Sequence, residues 1–256
     1  MPWDPAQYLK FSGERVQPPI DLLARIPAER PRTVVDLGCG AGNMFPLFAA
    51  RWPEARLVGV DNSPDMLARA RIDNPTVSFV EADLSAWAPT APVDVMFSNA
   101  CFQWLDRHEH LLPRLLSHVA PGGWFAVQMP RSLDMPMATC MTATIQAGPW
   151  RSILEPGRRQ RTVAPPEEYW RLLSPYAAAL TFWETEYMHV LSGENPVAEF
   201  AKGSGLKQLL DRLEEPMRSQ FEVEARRRLA EAYPKEADGR TLFKMRRLFF
   251  LAQPKI

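Results

Sequence analysis

The sequence predicts an α/β fold, a doubly wound and mostly parallel sheet carrying a helical cap. Three observations lead there. Short β-branched runs alternate with helical stretches from residue 31 to 129, each run ends in an acid or a turn residue, and the first passes into a glycine-rich turn, VVDLGCGAGN at 34 to 43. Regular alternation of strand and helix builds a parallel sheet with helices on both faces, and ligands of such sheets gather at the carboxyl ends of the strands.

Taken in order, TVVDLG (33 to 38) reads as a buried strand and NMFPLFAARW as a helix in which Pro46 is tolerated only near the first turn. RLVGVD (56 to 61) is the second strand. NSPDMLARAR follows as a helix, with Ser63 as its N-cap and Pro64 as its first helical residue. VSFVEAD (77 to 83) and VDVMFSN (93 to 99) are the third and fourth strands. EHLLPRLLSHVAPGG predicts a helix stopped by Pro121 and Gly122, and WFAVQM (124 to 129) the fifth strand. Beyond Met129 the rhythm changes: two helical stretches, 130 to 178 and 195 to 236, flank the alternating LTFWETEYMHVL, and TLFKMRRLFFLAQ near the end is another strand. The organisation expected is a helical N-terminal segment over 1–30, an α/β core over 31–129, and 130–256 as cap insertions above the ligand edge plus the last strands of the sheet.

Bulk properties narrow the partners. A chain of 256 residues with 46% hydrophobic content can bury a substantial interior. Thirty basic residues balance thirty acidic ones, which argues against a nucleic-acid or membrane-surface partner. Arg226, Arg227 and Arg228 stand among Glu222, Glu224 and Glu231 and read as a solvated helix face. Cys39, Cys101 and Cys140 suit neither a disulfide framework nor a zinc site, and His108, His110, His118 and His189 lack ligand spacing, so no metal is expected. Without a basic, apolar leader or a membrane-length span, a soluble cytoplasmic protein is expected.

A glycine turn after a strand suggests a phosphate cradle, but this one departs from the dinucleotide pattern. After Gly38 and Gly40 the third glycine comes one place early, at Gly42, with Asn43 where a small residue belongs. Asp36, two residues before the turn, would repel a phosphate and attract an ammonium or sulfonium. Asp61 lies where doubly wound folds place an acceptor for ribose hydroxyls. Asp83 could take an adenine amino group, with Met66 and Leu84 against the ring, or could simply form the turn before LSAW. A cationic adenosine fits this edge, and S-adenosyl-L-methionine is one.

VVDLGCGAGN, VGVDNSPDML, FVEADL and VAPGGWFAVQ, in that order, resemble the Rossmann-like S-adenosylmethionine-dependent methyltransferases over about residues 31 to 129. WDPAQYLKFSGER, SNACFQWL, AVQMP, GSGL and DGRTLFKMRRLFFLA extend the likeness along nearly the whole chain, where it is similar to the trans-aconitate methyltransferases, which esterify a small tricarboxylate. The resemblance implies a cofactor site of Asp36, Gly38, Gly40, Gly42, Asn43, Asp61, Asn62, Asp83 and Asn99, with Tyr8 and Arg15 on an N-terminal segment folding over it. It departs at Met44, where relatives often carry Ser or Thr.

The implied chemistry needs no general base. A carboxylate with a pKa near about 4 is already ionised at neutral pH, so no catalytic acid or base is expected and positioning suffices. A trianion does need cations; strand alternation sends Arg246 and Arg247 to opposite faces, so at most one serves the site, and the R-L-F pattern of the family it resembles points to Arg247. Gln103, Trp104, Trp150 and Lys202 are further candidates for the substrate pocket. Two other readings stand beside this one: carboxyl methylation of an acyl thioester on a carrier protein, and a non-catalytic cofactor-binding protein. A dinucleotide oxidoreductase is the least favoured by the turn.

Overall fold

The computed structural model describes residues 12–131, 134–156, 163–203 and 205–255. Seven strands form one sheet: β1 Thr33–Leu37, β2 Arg56–Asp61, β3 Ser78–Glu81, β4 Val93–Asn99, β5 Val119–Pro130, β6 Ala177–Leu191 and β7 Thr241–Pro254. Their order is β3-β2-β1-β4-β5-β7-β6. The first five are parallel, and β7 enters antiparallel beside β5. The strand order reverses between β1 and β4, the place where such sheets open a crevice for ligands.

The helices are α1 Ser12–Arg25, α2 Phe45–Arg51, α3 Pro64–Asp73, α4 His108–Leu116, α5 Pro136–Gln146, α6 Arg151–Leu154, α7 Pro166–Leu173, α8 Pro196–Lys202, α9 Gly205–Leu210 and α10 Met217–Ala232. Pro46 does sit in the first turn of its helix, where no backbone donor is missed. Ser63 caps α3 by accepting from the Met66 N–H at 3.4 Å, and Pro64 follows it. One expected boundary is wrong. The helix predicted to stop at Pro121 and Gly122 ends at Leu116, and Val119 already pairs with Val93. Pro121, Gly122 and Gly123 therefore lie inside β5, where the register shifts between Val93 and Val95, so they mark a strand irregularity rather than a helix stop.

The chain divides into two compact units. The sheet unit comprises Val16–Pro130, Val163–Thr185 and Arg247–Ile256, so α7 and part of β6 belong with the α/β core. One face of its sheet presents Val35, Leu37, Met96, Phe125, Val127, Met129, Leu248 and Phe250, closed over by Leu111, Leu112 and Leu115 of α4 and Tyr169 and Leu173 of α7. On the other face Phe97 meets Phe48 edge-on at 5.0 Å, and Phe48 stacks on Trp52. Here α1 is tied down at its carboxyl end. Arg51 donates to the carbonyls of Leu23 and Ile26, and the Trp52 indole donates to Ala28 O at 3.0 Å, which satisfies acceptors that a helix end leaves open.

The helical unit, with Arg131–Thr162 and Glu186–Arg246, has its own core around Ile145, Trp150, Leu154, Phe200, Phe221, Leu229 and Phe243. On α10, Arg227 pairs with Glu224 at 2.7 Å and Glu231 at 2.5 Å, and Arg228 with Glu224 at 2.6 Å, which is the charged helix face expected. No helix among the described residues is long and apolar enough to cross a membrane.

Candidate active site

The glycine turn is folded onto the end of β2. The N–H groups of Gly38 and Cys39 both donate to Val60 O, at 2.8 and 3.1 Å. Gly38, Gly40 and Gly42 all have positive φ, the region L side chains avoid. Two of them are required for different reasons. A Cβ on Gly38 would lie 2.3 Å from Cys101 Sγ, so this glycine permits close packing against the end of β4. A Cβ on Gly40 would meet nothing within 4 Å, so the side of the turn where that Cβ would stand is open to an approaching ligand. Asn74, which the sequence reading passed over, donates through Nδ2 to Gly42 O at 3.3 Å and Ala70 O at 3.2 Å, pinning the far side of the turn.

The acids at the strand ends behave differently from one another. Asp36 is only 3% exposed, and burial, with the nearby Asp61 carboxylate, pushes its pKa up to about 8. The fixed negative charge expected at the mouth of the turn is therefore mostly protonated in the free protein at neutral pH, and a bound cation would call it out. Asp61 accepts from the Gly40 N–H through Oδ2 at 2.8 Å and from the Ser63 N–H through Oδ1 at 2.9 Å. It thus links the glycine turn to the start of α3, while each oxygen keeps a lone pair for a hydroxyl. Asp83 is exposed and accepts from the Ser85 N–H at 2.8 Å, which holds its pKa below the usual carboxylate range. That is the turn-forming role; its outer oxygen also suits an amino donor. Met66 is half-buried, and Asn43 and Asn62 are exposed. Leu84, expected against the adenine ring, instead packs into the sheet's core.

Pairing places the key polar groups on one face. Asp36 is in register with Gly59 and Phe97, Asn99 with Gln128, Gln128 with Phe249, and Pro130 with Arg247. Because side chains alternate along strands, Asp36, Asp61, Asn99, Gln128 and Arg247 share a face toward the carboxyl edge. Asn99 ends β4, and Ala100 follows in a left-handed conformation with φ 52°. Its N–H donates to Gln128 O at 3.0 Å, and its carbonyl accepts from Gln103 Nε2 at 2.6 Å. Among the described residues, Asn99 Oδ1, Gln103 Oε1 and both amide atoms of Gln128 are buried without a hydrogen-bond partner. Buried polar atoms are almost always paired, so unsatisfied amide atoms on three residues around the carboxyl ends of β4 and β5 mark a place prepared for something else. Gln128 was missed from sequence; its signal is a single polar residue inside the apolar run WFAVQM.

Arg247 is 6% exposed on this face, and Arg246 donates to Asp134 at 2.7 Å, so alternation separates the two as expected. Trp104 is half-buried in the short 3-10 turn Phe102–Trp104, beside Gln103. Two expected pocket residues have other occupations. Trp150 lies in the core of the helical unit, donating to Thr144 O at 2.7 Å and packed edge-on against Phe221. Lys202 pairs with Glu222 and, at 4.0 Å, with Glu199, whose carboxylate also takes Arg226 at 2.6 Å. Tyr8 lies outside the described residues, as does the Arg15 side chain on α1. Burial raises the thiols of Cys39 and Cys101, the latter to about 12, so neither is a nucleophile at neutral pH. His108 is held between the Tyr169 hydroxyl and Phe102 O, both at 2.8 Å, a packing role. Among the described residues no cluster suits a metal.

With this geometry in hand, the chain can be set beside known proteins. Residues 8–186 match the methyltransferase domain family. Proteins named trans-aconitate 2-methyltransferase from Azoarcus sp. and Rhodopseudomonas palustris are 45% identical over 250 residues and 44% over 251, each alignment covering 98% of both chains. Among solved structures, phosphoethanolamine N-methyltransferase 2 of Haemonchus contortus in complex with S-adenosyl-L-methionine superposes with a TM-score of 0.56 at 16% identity, over 97% of this chain and 56% of that one. YcgJ of Bacillus subtilis does so at 0.58 and 12%, over 94% and 99%. These two share the fold, while the curated relatives share the sequence along its length. The chain belongs to the methyltransferase domain family, with the proteins named trans-aconitate 2-methyltransferase.

Proposed function

We propose that this protein transfers a methyl group from S-adenosyl-L-methionine to a carboxylate of trans-aconitate or a similar small polycarboxylate. The observation that carries the reading is the row of groups on one sheet face. Asp36 lies near Asp61, which braces the glycine turn at Gly40, and two acids there favour a cation; the row then runs through amides to a buried guanidinium at Arg247, which favours an anion. Asp36 would oppose the positive charge of the cofactor's amino-acid end, Asp61 would take the ribose diol, and Asp83 would receive the adenine amino group. When bound, the cofactor supplies an electrophilic methyl carbon.

An acceptor carboxylate would form the new bond with its own lone pair as the carbon–sulfur pair returned to sulfur, so no residue of this chain would need to move a proton. This removes any need for a base. The two reacting charges cancel as the bond forms, so a dry face that holds them apart from water lowers the barrier, and alignment can contribute roughly 7 to 11 kcal/mol. Arg247 would hold a non-reacting carboxylate through its planar fork. The test is direct: purified protein, methyl-labelled cofactor and trans-aconitate should yield a base-labile labelled ester. No labelled ester from any tricarboxylate would refute the reading.

A further inference from the structure

The sheet face carries a polar residue that the cofactor roles above leave unused. Gln128 is fully buried at the carboxyl end of β5, and among the described residues neither its amide nitrogen nor its amide oxygen has a partner. Its neighbours are informative. Asn99 stands directly beside it in parallel register, about 4.8 Å away across the sheet, with its own Oδ1 unsatisfied. Arg247 is its diagonal neighbour on the antiparallel strand β7, at a separation of roughly 7 to 8 Å, within reach of long side chains. Amide, amide and guanidinium therefore form one row.

A glutamine whose only purpose was packing would be replaced with advantage by an apolar residue of the same shape, because a buried amide without partners weakens the fold. We infer that Gln128 is a substrate-binding residue, whose carboxamide N–H donates to one carboxylate of the polycarboxylate while Arg247 holds another. This rests on the acceptor class proposed above.

The experiment begins with the wild-type protein, which must form ester from trans-aconitate; if it does not, and no tricarboxylate binds the S-adenosylhomocysteine-loaded protein, both the reading and this inference fall. With wild-type activity in place, Gln128→Met should raise the trans-aconitate KM, and its Kd for the loaded protein, by about ten- to a hundredfold. The Kd for S-adenosylhomocysteine should stay within about twofold, and the Tm should hold or rise. Gln128→Asn keeps the amide but shortens it, and should fall between wild type and Gln128→Met in KM; it also serves if Gln128→Met does not fold. Unchanged trans-aconitate affinity in either folded variant, whatever happens to Tm, would assign the amide to internal water and overturn the inference alone.

Discussion

Replacing Asp36 with Asn tests the electrostatics of the site most sharply, because the free protein holds that carboxyl in an uncomfortable state. Its pKa rises from 3.8 to about 8, caused first by burial and then by Asp61. At about 1.4 kcal/mol per unit, ionising it inside the ligand-free fold costs roughly 5 to 6 kcal/mol more than in water. The sign follows from which state keeps the proton. Between about pH 4 and pH 8 the unfolded chain has released it and the native chain has not, so the wild-type protein loses stability as pH rises through that window. Asp36→Asn should flatten that slope and make the ligand-free protein more stable than wild type near pH 8, with the gain shrinking toward pH 4. Cofactor binding should move the opposite way. A cation beside the carboxyl draws its pKa down, so wild-type binding should release up to one proton below pH 8 and weaken by up to about tenfold per unit of falling pH. At pH 8 the Asn variant should bind S-adenosyl-L-methionine about ten- to a hundredfold more weakly, the worth of a hydrogen bond to a charged group, and the gap should close by pH 6. Calorimetric titration in buffers of different ionisation enthalpy, with thermal melts across the same pH range, reads all of these. An Asn variant that binds as tightly as wild type at pH 8, or a wild-type affinity with no pH dependence, would refute the reasoning.

Three further outcomes are expected. Gly38→Ala should be severely destabilised, since its Cβ would overlap Cys101 Sγ, whereas Gly40→Ala should fold with a loss of about 1 to 2 kcal/mol from its left-handed backbone and bind S-adenosylhomocysteine poorly; melts and Kd values separate the two. Arg247→Met should raise the trans-aconitate KM by about a hundredfold while leaving S-adenosylhomocysteine affinity intact, and Arg247→Lys should recover only part of it, because an ammonium lacks the planar fork. Lys202→Met should leave kcat/KM within about twofold and lower stability by no more than about 1 kcal/mol, as its half-exposed ion pairs with Glu199 and Glu222 predict.

Much of this was written in local sequence because the governing forces are local. Ser63 followed by Pro64 announces a helix start wherever it occurs, and alternation alone separates Arg246 from Arg247. Acids ending consecutive parallel strands must meet at one edge, so the meeting of Asp36 and Asp61 at one sheet edge was legible before any coordinates. The misreadings arise where distant segments decide. Pro121, Gly122 and Gly123 punctuate a helix by local rules, yet Val119 pairs with Val93 and the strand runs through them. Trp150 and Leu84 are amphipathic or apolar enough for a pocket, but the cores that claim them are assembled from remote residues. The protonation of Asp36 depends on burial, which no spacing encodes. Gln128 stood in plain view as a polar break in an apolar run, but its significance comes from having nothing to bond with among the described residues, a property visible only in three dimensions.

The two hydrogen bonds accepted by Asp61 carry a consequence for how this protein can change over evolutionary time. One carboxylate braces the backbone at Gly40 and also faces the ligand, so shape and recognition cannot drift independently at this position. A neutral replacement would loosen the loop and alter ligand preference in a single step, and recovering either property would require changes elsewhere. Diversification within such a chain is therefore channelled away from β2 and toward the other end of the strand order, around Gln128, where acceptor choice can be rewritten without disturbing the cradle.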